Sequence, residues 1–209
     1  MNDLEAAYKK RYEDYLLPLA VKLEGLLKEY FIEEQRIDRV VSRAKSVESF
    51  INKALREVDG KQAYSDPLNQ IQDQVGARIV TYYLDDVPKV TKIILRYFRP
   101  VEERLIVPDS ECEFGYFGKH FVLFVPNGLL NVSASKETYP RFFEVQIKTL
   151  FQHAWGEANH DLGYKPSCEW SSDDKRRIAF TSAQAWGADT IFNDLFKKCV
   201  CMAVETKQN

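Results

Sequence analysis

The stretch Phe142–Asp161, F-F-E-V-Q-I-K-T-L-F-Q-H-A-W-G-E-A-N-H-D, constrains this chain more than any other. Its first half alternates. Phe143, Val145 and Ile147 point one way, and Phe142, Glu144 and Gln146 the other, which predicts a strand with one apolar face. A carboxylate set among bulky hydrophobes needs a cation, a donor or a proton to offset its desolvation. After Thr149 the period changes. Leu150, Phe151, Ala154, Trp155 and Ala158 recur at helical spacing as an apolar stripe, while His153, Glu157 and His160 share another. A strand presenting Glu144 thus runs almost directly into a helix presenting two histidines and an acid. The plain alternative is an edge-strand glutamate in water beside a solvated helix face.

The 209 residues, 45% hydrophobic and 29% charged, suit one globular domain with a sizeable core. No apolar run reaches the roughly 18 residues of a membrane span, and Met1–Lys10 has no secretory apolar segment. Cys112, Cys168, Cys199 and Cys201 form no zinc spacing or visible disulfide framework, so the expectation is a cytoplasmic protein with free thiols. A net charge of −2 exerts no bulk pull on nucleic acid, so any nucleotide site must be a local basic cluster.

In chain order, residues 3–31 read as helix, with Pro18 kinking or dividing it. Lys9, Lys10 and Arg11 read as a solvated face. Ser46 suits an N-cap for a helix whose apolar face is Val47, Phe50, Ile51, Ala54, Leu55 and Val58. Arg43, Lys45, Ser49 and Lys53 gather near that helix start, which itself favours anions, so the cluster suits a polyphosphate. Ordinary surface lysines are the competing reading. Residues 59–70 read as a loop, Val75–Tyr83 as a strand bearing Arg78 and preceded by Asp73. A helix follows from Asp86, with Val90, Ile93, Ile94, Tyr97 and Phe98 buried and Pro100 ending it. Glu103–Val107 reads as a short strand. Gly115 and Gly118 hinge a loop carrying Tyr116, with Lys119 and His120 leading into the apolar strand Phe121–Val125. A last helix is expected from about Ser172 to Cys199, with the basic run Lys175–Arg177 in solvent. Neither a P-loop nor a G-x-G-x-x-G motif is present.

Four of these stretches together resemble the synthetase domain of the RelA/SpoT family of alarmone synthetases, over roughly residues 40–165. R-A-K-S-V-E-S-F-I-N-K resembles R-x-K-S-x-x-S-x-x-x-K, and D-Q-V-G-A-R-I resembles D-x-x-G-x-R. G-Y-F-G-K-H resembles the family's acceptor loop. E-V-Q-I-K-T-L-F-Q-H-A-W-G-E-A-N-H-D-L-G-Y-K resembles its long E-V-Q-I-R-T…H-A-W-x-E-x-E-H-D-L-x-Y-K motif, the most specific of the four.

The resemblance implies an α/β fold, a mixed sheet of about five strands flanked by helices around a nucleotidyltransferase-like core. It implies a single domain over 1–209 with helical flanks, lacking the family's hydrolase and regulatory domains. The implied reaction is transfer of the β,γ-pyrophosphate of ATP to the 3′-hydroxyl of GDP or GTP. By that resemblance Arg43 and Arg78 sandwich adenine, Lys45 and Lys53 hold phosphates with Ser49 nearby, and Asp73 and Glu144 hold Mg2+. Glu144 also assists deprotonation of the acceptor hydroxyl, and Gln146 orients it. Tyr116 stacks on the acceptor base, with His120 and Lys119 near acceptor phosphates.

The chain departs from the family at Phe117, where a basic residue is usual, and at Gly118, Asn159 and Lys148. Phe117 falls in the acceptor loop and leaves rival readings: a toxic synthetase acting on the tRNA 3′ end, controlled by an antitoxin, or a maker of adenosine alarmones. A catalytically silent nucleotide-binding module and a metal hydrolase on His153, Glu157 and His160 are further alternatives. A homo-oligomer is compatible with the sequence, and no membrane association is expected.

Overall fold

The computed structural model describes residues 2–110, 113–115, 117–130, 139–163 and 169–208. Helix α1 (Asn2–Arg11) passes through a π turn (Tyr12–Leu16) into α2 (Leu17–Tyr30). Pro18 has no N–H to give, and the Leu17 N–H bonds to the Tyr12 carbonyl, five residues back. The expected break is therefore a local widening of one helical run.

Strand β1 (Ile37–Ala44) follows, then α3 (Val47–Ala54), a two-stranded hairpin of β2 (Glu57–Val58) and β3 (Lys61–Gln62), and the single turn α4 (Pro67–Gln70). Ser46 caps α3 as expected, its Oγ accepting the Ser49 N–H at 3.2 Å. The helix stops before Val58, which is 61% exposed in the hairpin, so Val58 does not belong to the apolar face; Leu55 is also exposed. The second strand of the hairpin and α4 occupy what reads from sequence as loop. Strand β4 (Val75–Thr81), α5 (Asp86–Tyr97), β5 (Pro100–Ile106), β6 (Gly118–Phe124) and β7 (Phe142–Thr149) come next. Helices α6 (Leu150–Gly163) and α7 (Ser172–Gln208) complete the order, α7 running beyond the expected end at Cys199. Gly118 lies in β6 rather than in the loop. Tyr97 is exposed, stacked on Tyr30 at 4.0 Å, instead of facing the core.

The five-stranded sheet has the order β1-β4-β7-β6-β5. Only the β4–β7 pair is parallel, so the sheet is mixed. Residues along β1 such as Arg39, Ser42 and Arg43 interrupt the apolar pattern, which is why the segment carries no strong strand signal. Its pairing with β4 decides it.

Alternation gives the sheet two unlike faces. On one, Ala77, Ile79, Phe121, Leu123, Phe143, Val145 and Ile147 are buried against Leu19, Leu23 and Leu27 of α2 and Val90 and Ile94 of α5. Each large aliphatic or aromatic side chain buried there contributes about 1.5–3 kcal/mol. The other face carries Arg43, Gly76, Arg78, Glu144, Gln146 and His120, and holds the functional cavity. Among the described residues no helix is long and apolar enough to cross a membrane.

Candidate active site

The register of the sheet assembles the site in two rows. Arg43 of β1 lies beside Gly76 of β4, which lies beside Glu144 of β7. One step along, Val41, Arg78, Gln146 and His120 line up across β1, β4, β7 and β6. Gly76 has no side chain, so it leaves a gap between Arg43 and Glu144. Two strand spacings make that gap roughly 10 Å wide at the backbone. The resulting cavity of about 360 Å³ is lined by Arg43, Lys45, Asp73, Arg78, Glu144 and Gln146, among others.

Asp73 enters this cavity from the short 3-10 turn before β4. Lys45 and Lys53 reach it from either side, each with Nζ 3.0 Å from a different carboxylate oxygen. Burial alone would raise the acid's pKa; the two ammonium groups outweigh it and hold Asp73 below the usual range.

Glu144 is held in the same way on the opposite wall. His120 Nδ1 lies 2.9 Å from Oε1, and the Gln146 amide donates to Oε2 at 2.9 Å. Burial pushes Glu144 up, but the hydrogen bond and charge of His120, with the bond from Gln146, pull it below the usual range. Both carboxylates are thus ionised on one side of the sheet.

Arg78 is braced by α6. Its guanidinium donates to Glu157 at 2.6 Å and to Gln146 Oε1 at 3.4 Å, and lies 3.4 Å from His153 Nδ1. The stripe seen in the sequence is therefore divided. His153 and Glu157 serve Arg78, and the described residues hold no group of three or more His, Cys, Asp or Glu side chains able to take a metal. The expected apolar stripe of α6 also fails at Ala154 and Ala158, which are exposed, while Gly156 is buried. Arg43 is exposed on the site face and makes no ion pair among the described residues. Lys148, one step beyond Gln146, is 2% exposed; burial, then the Arg78 charge, lowers its pKa to about 8.

Two expected residues stand apart. Ser49 lies in the first turn of α3 and accepts a hydrogen bond from Ser46 Oγ at 2.9 Å; it does not line the cavity. Lys119 points to the opposite face of the sheet, beside Phe121, with Nζ 2.7 Å from Glu103. Strand alternation forbids neighbours Lys119 and His120 from sharing a face, so Lys119 does not join the Glu144 side. Tyr116 lies outside the described residues. Two contributors had weaker sequence signals. Gly76 is the glycine inside D-x-x-G-x-R, and Glu157 was visible only as part of a stripe without a partner.

A sheet face with two ionised carboxylates, two lysines and two arginines around an open gap has the chemistry of a nucleoside polyphosphate site. The model for the "region found in RelA / SpoT proteins" matches residues 42–169, and the chain belongs to the RelA/SpoT family. GTP pyrophosphokinase YjbM of Bacillus subtilis (strain 168) is 31% identical over 200 residues, covering 89% of each chain. The crystal structure of small alarmone synthetase 1 from Bacillus subtilis bound to its product pppGpp superposes with a TM-score of 0.73. It has 27% identity and covers 90% of this chain and 98% of that one. The same synthetase bound to AMPCPP gives a TM-score of 0.64 at 25% identity, covering 95% and 97%.

Proposed function

We propose that this protein is an ATP-dependent pyrophosphokinase that moves the β,γ-pyrophosphate of ATP onto the 3′-hydroxyl of GDP or GTP, making ppGpp or pppGpp. The observation that carries the reading is the pairing of two ionised carboxylates, Asp73 and Glu144, across one cavity, each already held by its own donors. The relatives named GTP pyrophosphokinase and the neighbours bound to pppGpp and AMPCPP support the same substrates.

Arg43 and Arg78 flank the gap above Gly76, and their flat guanidinium groups suit the two faces of adenine. Lys45 and Lys53 exchange Asp73 for the triphosphate when ATP enters, with the capped start of α3 adding its N–H groups. Two hard carboxylates, Asp73 and Glu144, facing one cavity fit Mg2+. Asp73 and Glu144 would hold the ion, which supplies charge neutralisation along the transferred phosphates. Glu144 takes the proton from the acceptor 3′-hydroxyl. That oxygen bonds to the β-phosphorus as the bond from the β-phosphorus to the α,β-bridging oxygen breaks, and AMP leaves with the electron pair. Gln146 and His120 keep Glu144 aimed and charged. Tyr116 offers the acceptor base a stacking face, and Phe117 beside it leaves the acceptor's 5′-phosphates to other cations.

Incubating the purified protein with ATP labelled on its β- or γ-phosphate and, separately, GDP, GTP, ADP, ATP and tRNA tests the reading. Label should pass to GDP or GTP. Transfer to tRNA alone would replace the free nucleotide with a tRNA acceptor.

A further inference from the structure

Helix α1 lies wholly outside the matched family region, residues 42–169. Its side chains nevertheless grip both shores of the phosphate cradle. Tyr8 is fully buried, its ring stacked on Phe50 of α3 at 3.6 Å and 4°. Its hydroxyl donates to the Lys45 carbonyl at 2.8 Å, at the turn between β1 and the α3 cap. Arg11 lies one turn on, on the same helix face. It donates to the Leu68 carbonyl at 2.6 Å and to Gln74 Oε1 at 3.3 Å.

Gln74 is 1% exposed and follows Asp73 directly. Its amide donates to the carbonyls of Leu68 and Ile71, at 2.7 and 2.9 Å, and its own carbonyl accepts the Lys45 N–H at 2.8 Å. Burial, followed by the Asp73 charge, pushes the Tyr8 phenol up, so it stays a donor.

We infer that Tyr8 and Arg11 are positioning residues of the ATP site, with α1 setting the spacing between the Lys45 turn and the Asp73–Gln74 turn. Neither touches the cavity; each acts through a backbone that carries a ligand. The network ties together the Lys45 turn and the Asp73–Gln74 turn, which the Lys45 N–H also links directly through the Gln74 carbonyl. This rests on the ATP reading above.

The test is Tyr8→Phe, which keeps the stack on Phe50 and removes one hydroxyl. AMPCPP with Mg2+ is titrated into wild type, Tyr8→Phe, Lys45→Ala and the double variant, with the KM for GDP and the thermal midpoint measured alongside. Tyr8→Phe should weaken AMPCPP by at least about threefold, the scale of one lost hydrogen bond partly transmitted. The KM for GDP should stay at the wild-type value. In the Lys45→Ala background the same change should cost less, because its route to the ligand is gone. A loss in the double variant equal to that in wild type, or a lowered thermal midpoint with less than about threefold change in affinity, overturns the inference and leaves Tyr8 a packing residue. Wild-type protein that fails to bind AMPCPP overturns the ATP reading and this inference with it. Arg11→Met provides the second shore, and the same pattern of weakened AMPCPP with unaltered KM for GDP is expected.

Discussion

His120 reaches Glu144 diagonally. Its direct partner across β6 and β7 is Gln146, yet its Nδ1 sits 2.9 Å from Glu144 Oε1. Side chains on one face of a sheet reach both direct and diagonal neighbours. Glu144 is thus gripped by one donor from its own strand and one from the next, and its carboxylate is aimed before any substrate arrives.

Replacing that carboxylate with an amide tests its role with little disturbance of shape. Glu144→Gln should lower turnover by at least about a hundredfold, the lower bound for general-base contributions. AMPCPP affinity should fall far less, because the cations around Asp73 remain. Steady-state rates with ATP and GDP, alongside analogue titration and circular dichroism, check the outcome.

The Asp73 cage makes a second prediction. Lys53→Ala removes one of the two ammonium groups at 3.0 Å and leaves Lys45 in place. The fold should survive, since one cation still faces the acid. ATP affinity should fall by about tenfold, the scale of a charged hydrogen bond. Calorimetric titration of AMPCPP measures this directly.

Gly76 forms the floor between Arg43 and Glu144. A Cβ built there would meet only the Glu144 carbonyl, at 3.9 Å, an ordinary contact. Gly76→Val should therefore fold, with a thermal midpoint within a few degrees of wild type, on the scale of ΔΔG below about 1 kcal/mol. Its branched side chain stands where the nucleotide must lie, so AMPCPP binding should drop by tenfold or more, an energy of about 1.4 kcal/mol. Binding at wild-type strength would remove the gap from the site.

Asp189 predicts a pH effect separate from catalysis. It is 3% exposed on α7, bonded by Thr149 Oγ1 at 2.6 Å, with its other oxygen lacking a hydrogen-bond partner among the described residues. Burial raises its pKa to about 6, against 3.8 for an ordinary aspartate, while the Thr149 bond opposes the rise. The folded state thus favours the protonated acid, so this group's contribution to stability falls as pH rises from about 4 to about 6. Asp73 and Glu144 have lowered values, and their contributions fade instead as pH drops. The comparison must therefore be with Asp189→Asn. Urea denaturation should show the variant gaining on wild type between pH 4 and pH 7, by roughly 2–3 kcal/mol at most.

Much of the site was legible because a strand displays its period in the sequence. The alternation Phe142–Thr149 alone placed Glu144 and Gln146 opposite the core face, and the change of period after Thr149 marked where α6 begins. Ser46 was legible as a cap because the bond it makes is three residues long. The reading failed where a neighbour decides. β1 is a strand because β4 pairs with it, Val58 leaves the helix for a hairpin, and Ala154 and Ala158 of α6 face solvent.

The sequence by itself determined which chemical groups this protein carries and, for β7, which face of the strand they occupy, because alternation shows between residues two positions apart. Only the tertiary structure decided which of those groups meet. Asp73 meets Lys45 and Lys53, Arg78 meets Glu157, and Lys119 turns from His120 toward Glu103. Tyr8 is the sharpest case: in the sequence it is an unremarked helical tyrosine, and 37 residues separate it from the carbonyl it binds. Strand register and helix docking bring such partners together, and both are set by the burial of apolar surface summed over the whole chain, which no local window contains.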